Sequence, residues 1–116
     1  MILNGIEFEV DFTDADILEA IDRESQVVLE KSNELEKNKE NLSPAEGIRQ
    51  ECKIVKEFLD NVLGEGTSEK IFGNKDSLNL CLDVYDEIIK TYQEQYKTYY
   101  ERINKYSPDR LQRWTW

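Results

Sequence analysis

"VLGEGTSEKIFGN", residues 62–74, holds three of the chain's five glycines with a lysine among them. If the stretch cradles phosphate, a strand leads into it and the fold is α/β. If it is punctuation, helices flank it on both sides. A phosphate loop of the Walker type reads G-x-x-x-x-G-K-[ST], so that backbone N–H groups and the lysine surround the anion. Here Lys70 does not follow a glycine, Glu65 would put negative charge into the cradle, and no strand pattern precedes Val62. Helix grammar accounts for the glycines instead. Gly64 follows the last periodic residue, Leu63, as a left-handed C-terminal cap would, Thr67 caps a short helix over 68–72, and Gly73 ends it.

Upstream, Ser43 as N-cap, Pro44 at the first helical position and Glu46 three residues after the cap form a capping box that opens a helix over 44–63. Ile48, Cys52, Val55, Leu59 and Val62 share its apolar face, widened by Phe58 and Leu63. Before it, Thr13 offers an N-cap and Asp14 and Asp16 favour the dipole of a helix over 14–38. Ile17, Ile21, Val28 and Leu35 mark one face there, interrupted by Glu24 and Lys31. Residues 1–12 alternate, with Ile6, Phe8, Val10 and Phe12 on one side, and Asn4-Gly5 is a strong hairpin signal. A two-stranded hairpin is marginal alone. Its apolar face must lie on helices or its edge must pair with another subunit, which makes Phe8 and Val10 candidate contact residues.

Downstream, Asp76 is placed to cap a helix over 77–106. Leu78, Cys81, Tyr85, Ile88, Tyr92, Tyr96, Tyr99, Ile103 and Tyr106 advance by threes and fours in one stripe. Up to Ile89 apolar residues surround most of this helix, so that half reads as core; beyond Thr91 the stripe stands among polar residues and reads as an arm. Thirty helical residues span about 45 Å, whereas a compact chain of this length is roughly 35 Å across. The protein is therefore expected to be elongated, and its tyrosine stripe to be covered by the helix over 14–38 or by a second subunit. Residues 107–116, "SPDRLQRWTW", add two tryptophans beside Arg110 and Arg113 and read as a docking tail. The candidate interaction residues are Phe8, Val10, Tyr92, Tyr96, Tyr99, Ile103, Tyr106, Trp114 and Trp116. The expected fold is a single mainly α domain: an N-terminal β-strand or hairpin, then an elongated antiparallel helical bundle with a long C-terminal helix, held by packing of amphipathic faces.

Charge limits the partners. Among 116 residues, 25 are acidic and 15 basic, a net charge of −10, which repels phosphate backbones and anionic membranes. Residues 1–47 alone hold 13 acidic against 4 basic residues, while 48–116 hold 12 against 11. Nucleic acid and membrane are not expected as partners, and basic or apolar protein surfaces are. No basic n-region, long apolar run or membrane-length segment is visible, so a cytoplasmic location is expected.

Candidate chemistry is sparse. Glu57 and Asp60, with Asp83, Asp86 and Glu87, have the i, i+3 spacing with which all-helical nucleotide pyrophosphatases hold Mg²⁺. In a chain this acidic such spacings also arise on solvated helix faces, and no organised Lys or Arg group accompanies them. The chain has no histidine to act as a base near neutral pH. Cys52 and Cys81 fall on apolar helical positions and read as reduced core residues. No catalytic residue, metal site or cofactor is expected.

Two stretches carry a resemblance: "NGIEFEVDFTDAD" (4–16) and "GEGTSEKIFGNKDSLNLCLDVYDEI" (64–88). With the helices between them they resemble a family of small proteins from tailed phages and prophages of Gram-positive bacteria. That family is marked by an N-G-x-x-[FY] opening, a D-A-D helix start and a G-E-G-T-x-E-K-[IL]-F-G turn. The likeness runs to about residue 90, and the C-terminal arm and tryptophan tail add nothing to it. It implies a tail assembly chaperone or related morphogenesis protein in the cytoplasm of the bacterial host. Such a protein keeps the helical tape-measure protein, or another tail protein, soluble, and tends to self-associate as a homo-oligomer. No catalytic residue is implied. The alternative classes are a dimerising helical adaptor or regulatory protein and the Mg²⁺-dependent pyrophosphatase.

Overall fold

Asn4 and Gly5 both take positive φ, 50° and 78°, the condition for a two-residue hairpin turn whose twist matches its strands. They join β1 (Ile2–Leu3) to β2 (Ile6–Glu7) as an antiparallel pair with Ile2 opposite Glu7 and Leu3 opposite Ile6. The computed structural model describes residues 1–106, and the expected tail residues Trp114 and Trp116 lie outside that range. Four helices follow the hairpin: α1 (Ala15–Asn38), α2 (Pro44–Leu63), α3 (Thr67–Phe72) and α4 (Leu78–Ile103), with a 3₁₀ turn at Lys39–Asn41 between α1 and α2. The chain is thus mainly α, as its periodicity requires.

The ladder is shorter than the alternating run, yet the alternation holds: Phe8 and Val10 are half-buried and Phe12 buried, while Glu7, Glu9 and Asp11 are exposed. Asp11 accepts hydrogen bonds from both the N–H and the hydroxyl of Thr13. Thr13 is therefore not the helix cap expected of it. Asp14 takes that place, its carboxylate accepting from the Asp16 N–H at 2.8 Å. In α2 the Ser43 hydroxyl accepts from the Glu46 N–H and Pro44 opens the helix, as read from the sequence. Glu24 and Lys31, which break the apolar face of α1, are the polar clasps of the α1–α2 pair. Glu24 is buried and accepts from the Asn61 side chain at 2.7 Å, and Lys31 pairs with Glu57.

Residues 62–74 are punctuation. Gly64 has φ 117° and ψ 148°, a region open essentially to glycine alone, rather than the left-handed cap expected there. Gly66 occupies the N-cap of α3 and has no side chain to cap with. Asp60 supplies the cap from α2, its two carboxylate oxygens each 2.8 Å from the Ser68 N–H and hydroxyl. The opposite end of α3 is tied to the hairpin, where the Asn4 side chain donates to the Ile71 carbonyl at 2.7 Å. Lys70 stands over the Phe8 ring at 5.5 Å, so the lysine that suggested a phosphate cradle packs on an aromatic instead.

Ser77, not Asp76, caps α4, its hydroxyl accepting from the Leu80 N–H. Asp76 is engaged with Lys56 of α2 at 2.7 Å, and the same ammonium donates to the Lys75 carbonyl. The core gathers Leu3 and Phe12 from the N-terminal segment, Cys52 and Leu59 from α2, Ile71 and Phe72 from α3, and Cys81, Val84 and Ile88 from α4. The 26 residues of α4 span about 39 Å. The molecule measures 58 × 31 × 21 Å with a radius of gyration of 17.1 Å, against roughly 13 Å for a compact chain of this length. It is elongated, as the helix length demands.

Candidate functional site

The tyrosine stripe of α4 finds its cover in an unexpected place. Phe12, at the end of the N-terminal segment, meets Tyr92 edge-on with ring centroids 5.8 Å apart. From there rings follow one another along the helix, Tyr92 to Tyr96 at 4.7 Å, Tyr96 to Tyr99 at 5.9 Å and Tyr99 to Tyr100 at 5.2 Å. Burial raises the Tyr96 hydroxyl above the ordinary phenol range, and the neighbouring Tyr92 and Tyr100 add to the effect. Gln95 fixes the register between segment and helix. Its amide oxygen accepts from the Phe12 N–H and its amide nitrogen donates to the Val10 carbonyl, both at 2.7 Å. The side chain thereby stands in for a neighbouring strand, pairing with the backbone as a strand would. The expectation is that the stripe packs on the first helix or on a second subunit; at Tyr92 the N-terminal segment also contributes, through Phe12.

Beside the Phe12–Tyr92 contact, and lined in part by both residues, α4 leaves a slot. Ile21 and Ser25 of α1, Phe58 and Leu63 of α2, and Tyr85 and Ile89 of α4 line a narrow, almost wholly apolar cavity of about 160 Å³. Phe58 and Tyr85, both in its lining, meet edge-on. Of its lining residues Tyr85 and Ile89 are 41% and 39% exposed, and Leu82, 47% exposed, shares their helix face through a spacing of three and four. The expectation from sequence is that this half of α4 is core. The apolar residues there surround the helix, however, and only Cys81, Val84 and Ile88 fit inside. The excess of apolar positions around Leu80–Ile89 was the available signal for an exposed face.

A second groove lies at the C-terminal end of α4, about 790 Å³ in volume, between Asp11 and Thr13 on one side and Gln95, Thr98, Arg102 and Ile103 on the other. Asp11 is held below the usual carboxylate range by the side-chain and backbone hydrogen bonds of Thr13.

The expected interaction residues therefore divide. Phe8, Val10, Tyr92 and Tyr96 pack on the core of their own chain. Tyr99, Ile103 and Tyr106 line the end groove. The acidic constellation is not assembled: Glu57 is paired with Lys31 and Asp60 caps α3, while Asp83 and Asp86 are exposed on α4. Among the described residues no group of three or more His, Cys, Asp or Glu side chains is placed to hold a metal ion. Cys52 and Cys81 are free and buried, and burial, with the Cys52 thiol beside it, pushes the Cys81 thiol up to about 12. That suits an inert core thiol rather than a nucleophile. Among the same residues no helix is long and apolar enough to cross a membrane.

No curated protein and no solved structure matches the chain. A family pattern matches residues 4–115, from the hairpin turn through the helices to the end groove, and on that match the chain belongs to the family of unknown function DUF6673.

Proposed function

We propose that this chain is a non-enzymatic protein-binding protein whose slot between α1 and α4 takes the apolar face of a client helix. The client proposed is the tape-measure protein of a phage tail, which the resemblance in residues 4–16 and 64–88 implies, held in the bacterial cytoplasm before tail-tube subunits enclose it. The observation that carries this reading is the apolar slot with Tyr85 and Ile89 of its lining exposed and Leu82 exposed on the same helix face. An amphipathic helix laid into a groove offers matching i, i+3, i+4 anchors. Charge selects among helices: α1 and α4, the walls of the slot, carry 12 acidic residues against 6 basic ones. A client with basic flanks is favoured there, and the remaining negative charge keeps the complex soluble.

Co-expression with the tape-measure protein tests the reading. The wild type should move the client from the pellet into a soluble complex. Leu82→Glu with Ile89→Glu should recover at least about tenfold less client, the effect of losing roughly 1.4 kcal/mol or more of binding, with an unchanged circular dichroism spectrum. Equal recovery by both proteins, or no complex with the wild type, would sink the proposal.

A second reading, a dimerising adaptor, is favoured by Tyr100, which continues the ring contacts past the body of the molecule at 40% exposure. Self-association through this arm would weaken in Tyr100→Glu on sedimentation analysis. A dimer that ignores the substitution removes the arm as its interface.

A further inference from the structure

The slot between α1 and α4 has the dimensions of one side chain. Its volume of about 160 Å³ is below the roughly 300 Å³ or more that a drug-sized ligand takes. It is close to that of apolar cavities of about 150 Å³ that stay dry and admit a single benzene ring. Two edge-on ring pairs belong to its lining, Phe12 with Tyr92 at 5.8 Å and Phe58 with Tyr85 at 6.3 Å between centroids. Rings so arranged offer both edges and faces to a further ring, which is attracted beyond the area it buries. The helices that flank the slot also carry carboxylates. Asp22 lies three residues before Ser25 on α1, and Asp86 three residues before Ile89 on α4, so each shares the helix face of a lining residue. Both are exposed, and among the described residues neither is in an ion pair.

We infer that the slot is a site for one phenylalanine ring, presented by a helix whose lysines or arginines lie a turn away and face Asp22 and Asp86. The helix rests on the client reading given above; the ring follows from the slot alone. Size and polarity select the side chain. An indole exceeds a single ring, and a tyrosine would carry its hydroxyl into an almost wholly apolar lining, where a polar group without a partner is penalised. Charge selects the bearer. Basic residues three or four positions from the anchor stand on the same face of their own helix, where the two unpaired carboxylates can meet them. A second copy of this chain is the wrong occupant, since it would bring a net charge of −10 toward those carboxylates.

Benzene probes the ring site without any client. Titrated into the full chain, it should shift the methyl resonances of Ile21, Leu59 and Ile89 saturably and raise the melting temperature, as a ligand of the folded state does. Ser25→Phe, at an exposed position in the lining, places a ring of the chain's own at the slot and should abolish those shifts. In co-expression it should recover at least about tenfold less tape-measure protein. Asp22→Lys with Asp86→Lys should lower recovery several-fold at low ionic strength, with the difference fading as salt is raised. In the client, alanine replacement of each phenylalanine with a lysine or arginine three or four residues away should find one whose loss lowers recovery at least about thirtyfold, as for a buried anchor. The absence of a saturable benzene shift would overturn the ring site. A client that survives every such replacement, or that Ser25→Phe recovers as well as wild type does, would overturn the phenylalanine anchor, while the Leu82 and Ile89 variant still judges the client reading. Benzene binding with no client recovered by the wild type would sink that reading and support the ring site.

Discussion

Gln95→Leu should unfasten the N-terminal segment. The substitution keeps side-chain bulk and removes both hydrogen bonds that the amide makes, to the Phe12 N–H and the Val10 carbonyl. At about 1 kcal/mol net per bond, plus the cost of a partly buried N–H left without a partner, the loss is roughly 2–3 kcal/mol. A chain of 116 residues has an unfolding entropy near 0.24 kcal/mol/K at about 2.1 cal/mol/K per residue, so the melting temperature should fall by roughly 8–12 °C. Gln95→Glu adds a sign test. An ionised carboxylate still accepts from Phe12 but cannot donate to Val10, whereas the protonated acid can. The folded state therefore favours protonation and raises the carboxyl pKa above its unfolded value of about 4.3. Relative to wild type, the variant should be least destabilised below about pH 4.3 and lose stability as pH rises through the folded value. Urea unfolding across pH gives the energies, and hydrogen exchange at the Phe12 amide gives the locus. A Gln95→Leu protein within about 0.5 kcal/mol of wild type, the range of an ordinary surface change, would refute the role given to this side chain.

Asp60→Ala removes the two contacts that cap α3 at Ser68, and should cost about 2 kcal/mol in urea unfolding; an effect within error would mean that the glycine turn holds α3 unaided. The Cys81 thiol, pushed up to about 12 in the fold, ionises near 9 once unfolded, so above about pH 9 the unfolded chain releases a proton that the folded chain keeps. Stability should then fall with rising pH between about 9 and 12, more steeply for wild type than for Cys81→Ala, and identical slopes would contradict the assignment. Leu82→Lys changes an exposed residue on the α4 face that carries Tyr85 and Ile89 and should leave stability within about 0.5 kcal/mol; a large loss of melting temperature would show that this face is structural.

Helix boundaries were legible because they rest on local chemistry. Ser43-Pro44-Ala45-Glu46 begins α2 where its capping pattern says it should, and the glycines of 64–73 separate α2, α3 and α4 without ambiguity. What failed was choice among neighbouring polar residues. Thr13 and Asp76 both have cap-forming side chains, but each is drawn away, Thr13 to Asp11 and Asp76 to Lys56. Such long-range competition leaves no periodic trace, and neither does the Gln95 clamp, whose partners lie more than 80 residues away. The tyrosine stripe was visible; what covers it was not, since a segment of five residues can shield one helix face as well as a helix can. The slot was hidden for a related reason: apolar residues all round a helix say that it is buried somewhere, not which side is left over.

That leftover side cannot be corrected from within. A chain with 34% charged residues has ample means to keep a helix surface polar, and single exposed apolar residues need no explanation. Leu82, Tyr85 and Ile89, however, lie one after another on the same face, beside an apolar slot. Rolling α4 to bury them would take Val84 and Ile88 out of the core, at about 1.5–3 kcal/mol for each side chain returned to water. It would also swing Gln95 away from Val10 and Phe12. The buried face and the clamp therefore fix which face of α4 the described residues leave exposed. For this reason a partner's contribution to binding should concentrate at the slot, where Tyr85 and Ile89 stay exposed, rather than farther along the stripe at Tyr96, which packs on the core.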